Sequence, residues 1–128
     1  MKYLLDTHAV IWYFENSAKL SPTAEKLIDT DANIKYIHAV SLWEISIKMN
    51  LGKLNLKIPL NELLNIIKNR DFNILQIENE YLNGLAALAY IHKDPCDRLI
   101  IATALAEDLT IITVDENIQK YHVSWIWQ

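Results

Sequence analysis

Lys2-Tyr3-Leu4-Leu5-Asp6-Thr7 opens the chain with an apolar run too short for a helix, closed by an acid and a hydroxyl. Such a run reads as a buried strand with Asp6 at its C-terminal end. The pattern returns at Thr110-Ile111-Ile112-Thr113-Val114-Asp115, which is β-branched and apolar and so reads as a core strand that also runs into an acid. Lys35 to His38, Phe72 to Ile77 and Val123 to Trp127 read as further strands. Helices are expected between them, over Ala9 to Phe14, from Pro22 behind the cap Ser21 to about Asp29, and from Ala39 to Asn50 before the stop at Gly52. Leu60, Leu63, Leu64 and Ile67 keep the i, i+3, i+4, i+7 spacing of another, Leu82, Leu85, Ala86 and Ala89 mark one more, and a short one is expected through Lys120. Asp94-Pro95 opens a helix whose body, Leu99 to Ala106, is apolar nearly all round and should be central. Strands that alternate with helices imply right-handed crossovers and a parallel sheet of about four or five strands, covered on both faces in three α/β/α layers. Ligands in such folds bind beyond the carboxyl ends of the strands.

A chain of 128 residues fits one domain, 1–128, with a single core. It is 52% hydrophobic and 22% charged, with two Gly and three Pro, which argues against disorder or a repeat architecture. Its apolar runs fall short of the roughly 20 residues that span a bilayer, and its start lacks the apolar stretch of a signal peptide, so no membrane association and a cytoplasmic location are expected. Cys96 is the only cysteine, which excludes an internal disulfide and a cysteine zinc cluster. The net charge of −4 weighs against a nucleic-acid binder. Lys48, Lys53, Lys57, Lys68 and Arg70 nevertheless gather in the middle third and could form a local basic surface.

Four acids stand where apolar packing does not account for them: Asp6, Glu44, Asp97 and Asp115. Each has a plain structural reading. Asp6 and Asp115 can cap the helices that follow them, Glu44 can pair with Lys48 one turn on, and Asp97 can sit in a first helical turn behind the cap Asp94, favoured by the helix dipole or paired with Arg98. Together, acids brought to one edge of one sheet would repel, unless a hard divalent cation that prefers oxygen ligands neutralises them. Glu44 shares a stripe with Val40, Trp43 and Ile47, while Leu42, Ile45 and Met49 make the rest of that helix apolar too. Ser41 is a candidate cap for this helix, and Thr7 and Thr113 are candidates to bond a ligating carboxylate or a water at the ion. The four histidines, His8, His38, His92 and His122, show no metal-ligand spacing and read as packing or surface residues. Cys96 reads as a small buried hydrophobe, and Trp125 and Trp127 as core or interface. No glycine-rich phosphate loop is present.

The arrangement resembles the PIN-domain family, and within it the VapC-type ribonuclease toxins of prokaryotic toxin–antitoxin pairs. Leu4-Leu5-Asp6-Thr7-His8 is similar to the family's opening strand and first acid, and Ser41-Leu42-Trp43-Glu44-Ile45 to the helix with the second. His92 through Ala102 matches the most specific segment, with Asp97 at the third acid, and Thr113-Val114-Asp115 corresponds to the fourth. Cys96 departs from the pattern, an aromatic residue being common there. The resemblance implies a PIN-like fold and an endoribonuclease using Mg²⁺ or Mn²⁺ held by Asp6, Glu44, Asp97 and Asp115; Thr7, Ser41, Asp94 and Thr113 are, from their own positions, the candidates to support these acids. Water activated by the ion would attack phosphorus. It also implies an RNA substrate, an inhibitory antitoxin protein and a homodimer. Two alternatives stay open at this point: a module that binds RNA or protein without cleaving, and a metal-dependent DNase or phosphatase.

Overall fold

The computed structural model describes residues Met1–Gln128. Five strands, β1 (Lys2–Leu5), β2 (Ile34–His38), β3 (Phe72–Leu75), β4 (Thr110–Ile112) and β5 (Trp125–Ile126), form one sheet in the order β3-β2-β1-β4-β5 with every pairing parallel. Seven helices connect and cover them: α1 (Thr7–Phe14), α2 (Pro22–Asp29), α3 (Ala39–Asn50), α4 (Leu60–Asn69), α5 (Asn79–Ala87), α6 (Pro95–Glu107) and α7 (Glu116–Gln119). The pleat divides the strands between two cores. Tyr3, Leu5, Ile37 and Ile112 pack with Val10, Ile28, Ile45, Leu63 and Ile67 on one face. Leu4 and Ile111 point the other way, toward Tyr81, Leu99, Ile100, Ile101 and Ile118. The expected three-layer α/β/α architecture is therefore the observed one.

The chain steps outward from β1 to β2 and β3, then returns to place β4 on the other side of β1. The strand order reverses between β1 and β4, and the crevice at such a reversal is where doubly wound folds bind ligands. Asp6 ends one of these two strands, and Thr113 follows the other.

Several element ends differ from the sequence reading, each for a tertiary reason. β3 stops at Leu75 rather than Ile77, because its last partner is His38, after which β2 turns into α3. β4 stops at Ile112 rather than Val114 because β1 ends opposite it, with Leu5 paired to Ile112. β5 is only two residues long, and Trp127 lies past its end, buried against Trp12, while Trp125 is exposed. Ser41 does not cap α3. The helix begins at Ala39, and the fully buried His38 caps it, its Nδ1 accepting from the Val40 amide at 2.9 Å. Helix α3 ends as its sequence predicts: Gly52 takes φ +71, and Lys53 N–H bonds the Lys48 carbonyl at 2.8 Å.

Helix α6 is the central helix of the second core, yet its last turn emerges from it: Ile100 is fully buried, whereas Leu105 is 50% exposed. Ile100→Ala should accordingly cost about 2–5 kcal/mol in urea unfolding, the range for emptying a packed site, and Leu105→Ala should stay within about 0.5 kcal/mol. Similar losses at the two positions would contradict this placement of the helix.

Candidate metal centre

Asp6 is set by its backbone before any ligand is considered. Its residue is 3% exposed at the end of the central strand β1, and Oδ1 accepts the Ala9 amide at 2.8 Å as the cap of α1. The cap reading is thus true of Asp6, but it uses one oxygen only. Oδ2 accepts from the Thr113 hydroxyl at 2.5 Å, a bond between the ends of β1 and β4. Burial pushes the Asp6 carboxyl up to about 6, Thr113 and the Ala9 amide pull it down, and repulsion from Asp115 and Glu44 adds to the rise.

Asp97 lies in the first turn of α6, behind Asp94, whose Oδ1 accepts the Asp97 amide at 3.0 Å as the cap. Its own carboxylate does not pair with Arg98. That guanidinium is spent on the Ala89 carbonyl at 2.9 Å and the Tyr121 hydroxyl at 3.0 Å. Burial pushes the Asp97 carboxyl up to about 7, with Asp94, Asp115 and Asp6 raising it and the hydrogen bond from His92 lowering it. Asp115 is half-buried and caps the short α7, accepting the Asn117 amide at 2.8 Å, and its own amide bonds Thr113 Oγ1 at 3.0 Å. Asp6, Asp97 and Asp115 therefore meet in one electrostatic environment at the switch point of the sheet.

Glu44 approaches from α3, which packs against both α1 and α6. The pair with Lys48 forms, at 3.2 Å from Oε2, with the Glu44 side chain only 15% exposed. Oε1 is buried and has no hydrogen-bond partner. Glu44, Asp94 and Cys96 each present a donor atom, all within 4.8 Å of one another. Asp6, Asp97 and Asp115 do not close into so tight a triplet. Their separation is the expected behaviour of like charges, two of which are also held back by caps. Thr7 bonds Ser41 at 3.0 Å in full burial, tying the start of α1 to the first turn of α3 and so fixing the spacing of Asp6 and Glu44.

These residues fit a hard cation. Oxygen donors predominate, two carboxyls have their ionised forms destabilised by burial and mutual repulsion, and Glu44 Oε1 is left unsatisfied in a place where a cation would satisfy it. Cys96 is a poor competitor as a nucleophile: it is buried, and burial with the repulsion of Glu44, Asp94 and Asp97 pushes its thiol up to about 11. Beside Glu44 lies an apolar cleft of about 660 Å³ lined by Val40, Trp43, Ile77, Leu85, Pro95 and Leu99 among others. Lys48 and Lys53 border the hollow that also holds Glu44 and Asp94, whereas Lys57 bonds Glu15 and Arg70 bonds Tyr13.

His92 is the residue that the sequence reading passed over. Its Nε2 lies 3.2 Å from Asp97 Oδ2, and its Nδ1 lies 2.9 Å from the Tyr121 hydroxyl. No local pattern announces this, since the links span a helix start and a segment 29 residues away.

A family model described as PIN domain matches residues 3–123. The chain is similar to Ribonuclease VapC22 of Mycobacterium tuberculosis, 25% identical over 118 residues that cover 92% of this chain and 90% of that protein. Among solved structures it is similar to VapBC2 from Rickettsia felis bound to a DNA fragment from their promoter, with a TM-score of 0.75, 18% identity and 98% of each chain covered. It is also similar to a toxin-antitoxin complex from Klebsiella pneumoniae, with a TM-score of 0.68 and 18% identity over 97% of this chain and 95% of that one. At these identities the structural likeness speaks for the fold.

The raised carboxyls have a pH signature. A carboxyl whose folded pKa lies above its unfolded value binds more protons folded than unfolded between the two, so stability falls as pH rises through that window. Buried His38, lowered to about 4, acts in the opposite direction over part of the same range, so wild type alone does not isolate the acids. In chelator, Asp97→Asn should melt higher than wild type by a margin smallest near pH 4 and growing to about pH 7, the folded value for Asp97. A margin that does not change with pH in thermal unfolding would contradict this origin.

Proposed function

The chain belongs to the PIN domain family, and from that premise we propose that it is a divalent-metal-dependent endoribonuclease, the toxin of a toxin–antitoxin pair, using Mg²⁺ or Mn²⁺. The observation that carries the metal requirement is the buried, partnerless Oε1 of Glu44 beside carboxyls whose ionisation is held back by burial and by one another. The ion, when bound, supplies Lewis acidity that makes water a nucleophile at neutral pH and offsets the charge developing at phosphorus and on the leaving oxygen.

The residues of the chain provide the frame. Asp6 and Asp97 are the direct ligands, and Glu44 and Asp115 complete the set or orient water. Thr113 and the Ala9 amide hold Asp6 in one orientation, so little reorganisation is needed when the cation arrives. Thr7 and Ser41 keep α1 and α3 in register beneath Asp6 and Glu44, and Asp94 anchors the turn from which Asp97 projects. No side chain need attack phosphorus, in keeping with a thiol at Cys96 that stays protonated. Lys48 and Lys53 lie where they can meet phosphates of a strand entering the acidic centre.

RNA is favoured as substrate by the ribonuclease relative from Mycobacterium tuberculosis, and an antitoxin partner by the Klebsiella pneumoniae complex. The apolar cleft beside Glu44, with Trp43 59% exposed at its rim, supports a protein partner whose segment reaches the acids, and a cationic side chain there would stand in for the ion. In this reading the toxin is a homodimer.

Antitoxin-free protein should cleave RNA from a panel of structured and single-stranded species with Mg²⁺ or Mn²⁺ and stop in chelator. Asp6→Asn and Asp97→Asn should each lower cleavage by more than about 100-fold, beyond the range typical of outer-shell substitutions, while circular dichroism stays native. Full activity in Asp6→Asn would sink its assignment as a ligand, and cleavage of DNA alone would replace the RNA assignment.

A further inference from the structure

Tyr121 gathers the segment before α6 around one oxygen. Its buried hydroxyl lies 3.3 Å from the Ile91 amide, 3.2 Å from the His92 amide and 3.0 Å from Arg98 Nη1, all of which are donors. An oxygen so surrounded has only its own proton left to give, and of the two acceptors in reach, His92 Nδ1 at 2.9 Å and the His92 carbonyl at 3.5 Å, the ring nitrogen is much the closer. In the neutral ring this places the hydrogen on Nε2, and in the charged ring both nitrogens carry one. Nε2–H therefore faces Asp97 Oδ2 in either form, at 3.2 Å, with the two side chains 12% and 15% exposed. Only the other neutral tautomer would set a lone pair against the carboxylate, and Tyr121 disfavours it.

We propose that His92 is a positioning residue for Asp97: Nε2–H fixes Oδ2 and leaves Oδ1, which makes no hydrogen bond within the protein, to face the cation. The logic is that of a ligating carboxylate oriented by an outer hydrogen bond, with Tyr121 selecting the tautomer. Asp94 fixes the backbone of Asp97 through its amide, so the carboxylate is held from two directions. Neither contact touches the reacting atoms. The inference rests on the proposed metal centre.

Two substitutions separate this role from ring packing. In His92→Gln the amide nitrogen stands near the place of Nε2 and can still donate to Asp97. In His92→Asn the amide reaches only the Nδ1 side, toward Tyr121. Mn²⁺ affinity, read from the electron paramagnetic resonance of free ion during titration of the purified protein, needs no substrate. His92→Gln should bind Mn²⁺ within about threefold of wild type and His92→Asn about tenfold more weakly, the lower part of the outer-shell range. RNA cleavage at limiting Mn²⁺ should follow the same order and recover in His92→Asn at high Mn²⁺. Wild-type affinity in His92→Asn would overturn the inference, as would an equal loss in both variants, which would assign the effect to ring packing. Absence of Mn²⁺ binding by the wild type would overturn the metal centre itself, and this inference with it.

Discussion

Thr113 gives its hydroxyl proton to Asp6 across the ends of two neighbouring strands, and the centre is organised around that bond. It exists because β1 and β4 pair in parallel with Leu5 opposite Ile112, which brings the residues just past each strand to the same level. A shift of one residue in this register would turn Leu5 and Ile112 out of their shared core and separate the pair. Burying Asp6 is costly, and the bond offsets part of that cost while fixing the side chain's direction. The two apolar cores thus hold the register, and the register holds the acid.

The second constraint comes from the far side of the crevice. Helix α6 enters through Asp94 and Pro95, so its first turn projects Asp97 toward the sheet edge while its body is committed to the core. Arg98, the next residue, is drawn away by Ala89 and Tyr121 and so does not neutralise Asp97. The chain thus turns the adjacent guanidinium away from the acid and leaves Asp97 a hydrogen bond to a histidine. Excess negative charge is what such an arrangement stores, and stored charge of one sign is a binding preference for the other.

Cys96 joins the acids to the apolar cleft. Its small, buried thiol lies within 4.8 Å of donor atoms of Glu44 and Asp94. The thiol also lines the apolar cleft, so the cleft and the acids share a wall. Whatever enters the cleft is therefore in a position to affect Glu44.

The alternation of apolar runs and amphipathic segments determined the layers, because burial of a strand on two faces and of a helix on one stripe needs no knowledge of the partner. Asp6, Asp94 and Asp97 were legible from position alone, as an acid after a strand and two acids at the start of a helix. Gly52 and Ser21 were legible because caps are local. What the sequence left undecided depended on distance in the chain. Ser41 reads as a cap until Thr7, 34 residues earlier, is found to hold it. His38 and His92 read as filler until folding supplies a helix amide for one and Asp97 with Tyr121 for the other. Strand ends moved wherever a neighbour ended first. Local propensity and periodicity are properties of a segment, whereas hydrogen-bond partners, desolvation and strand length are properties of what the segment meets, and only the tertiary structure brings those together.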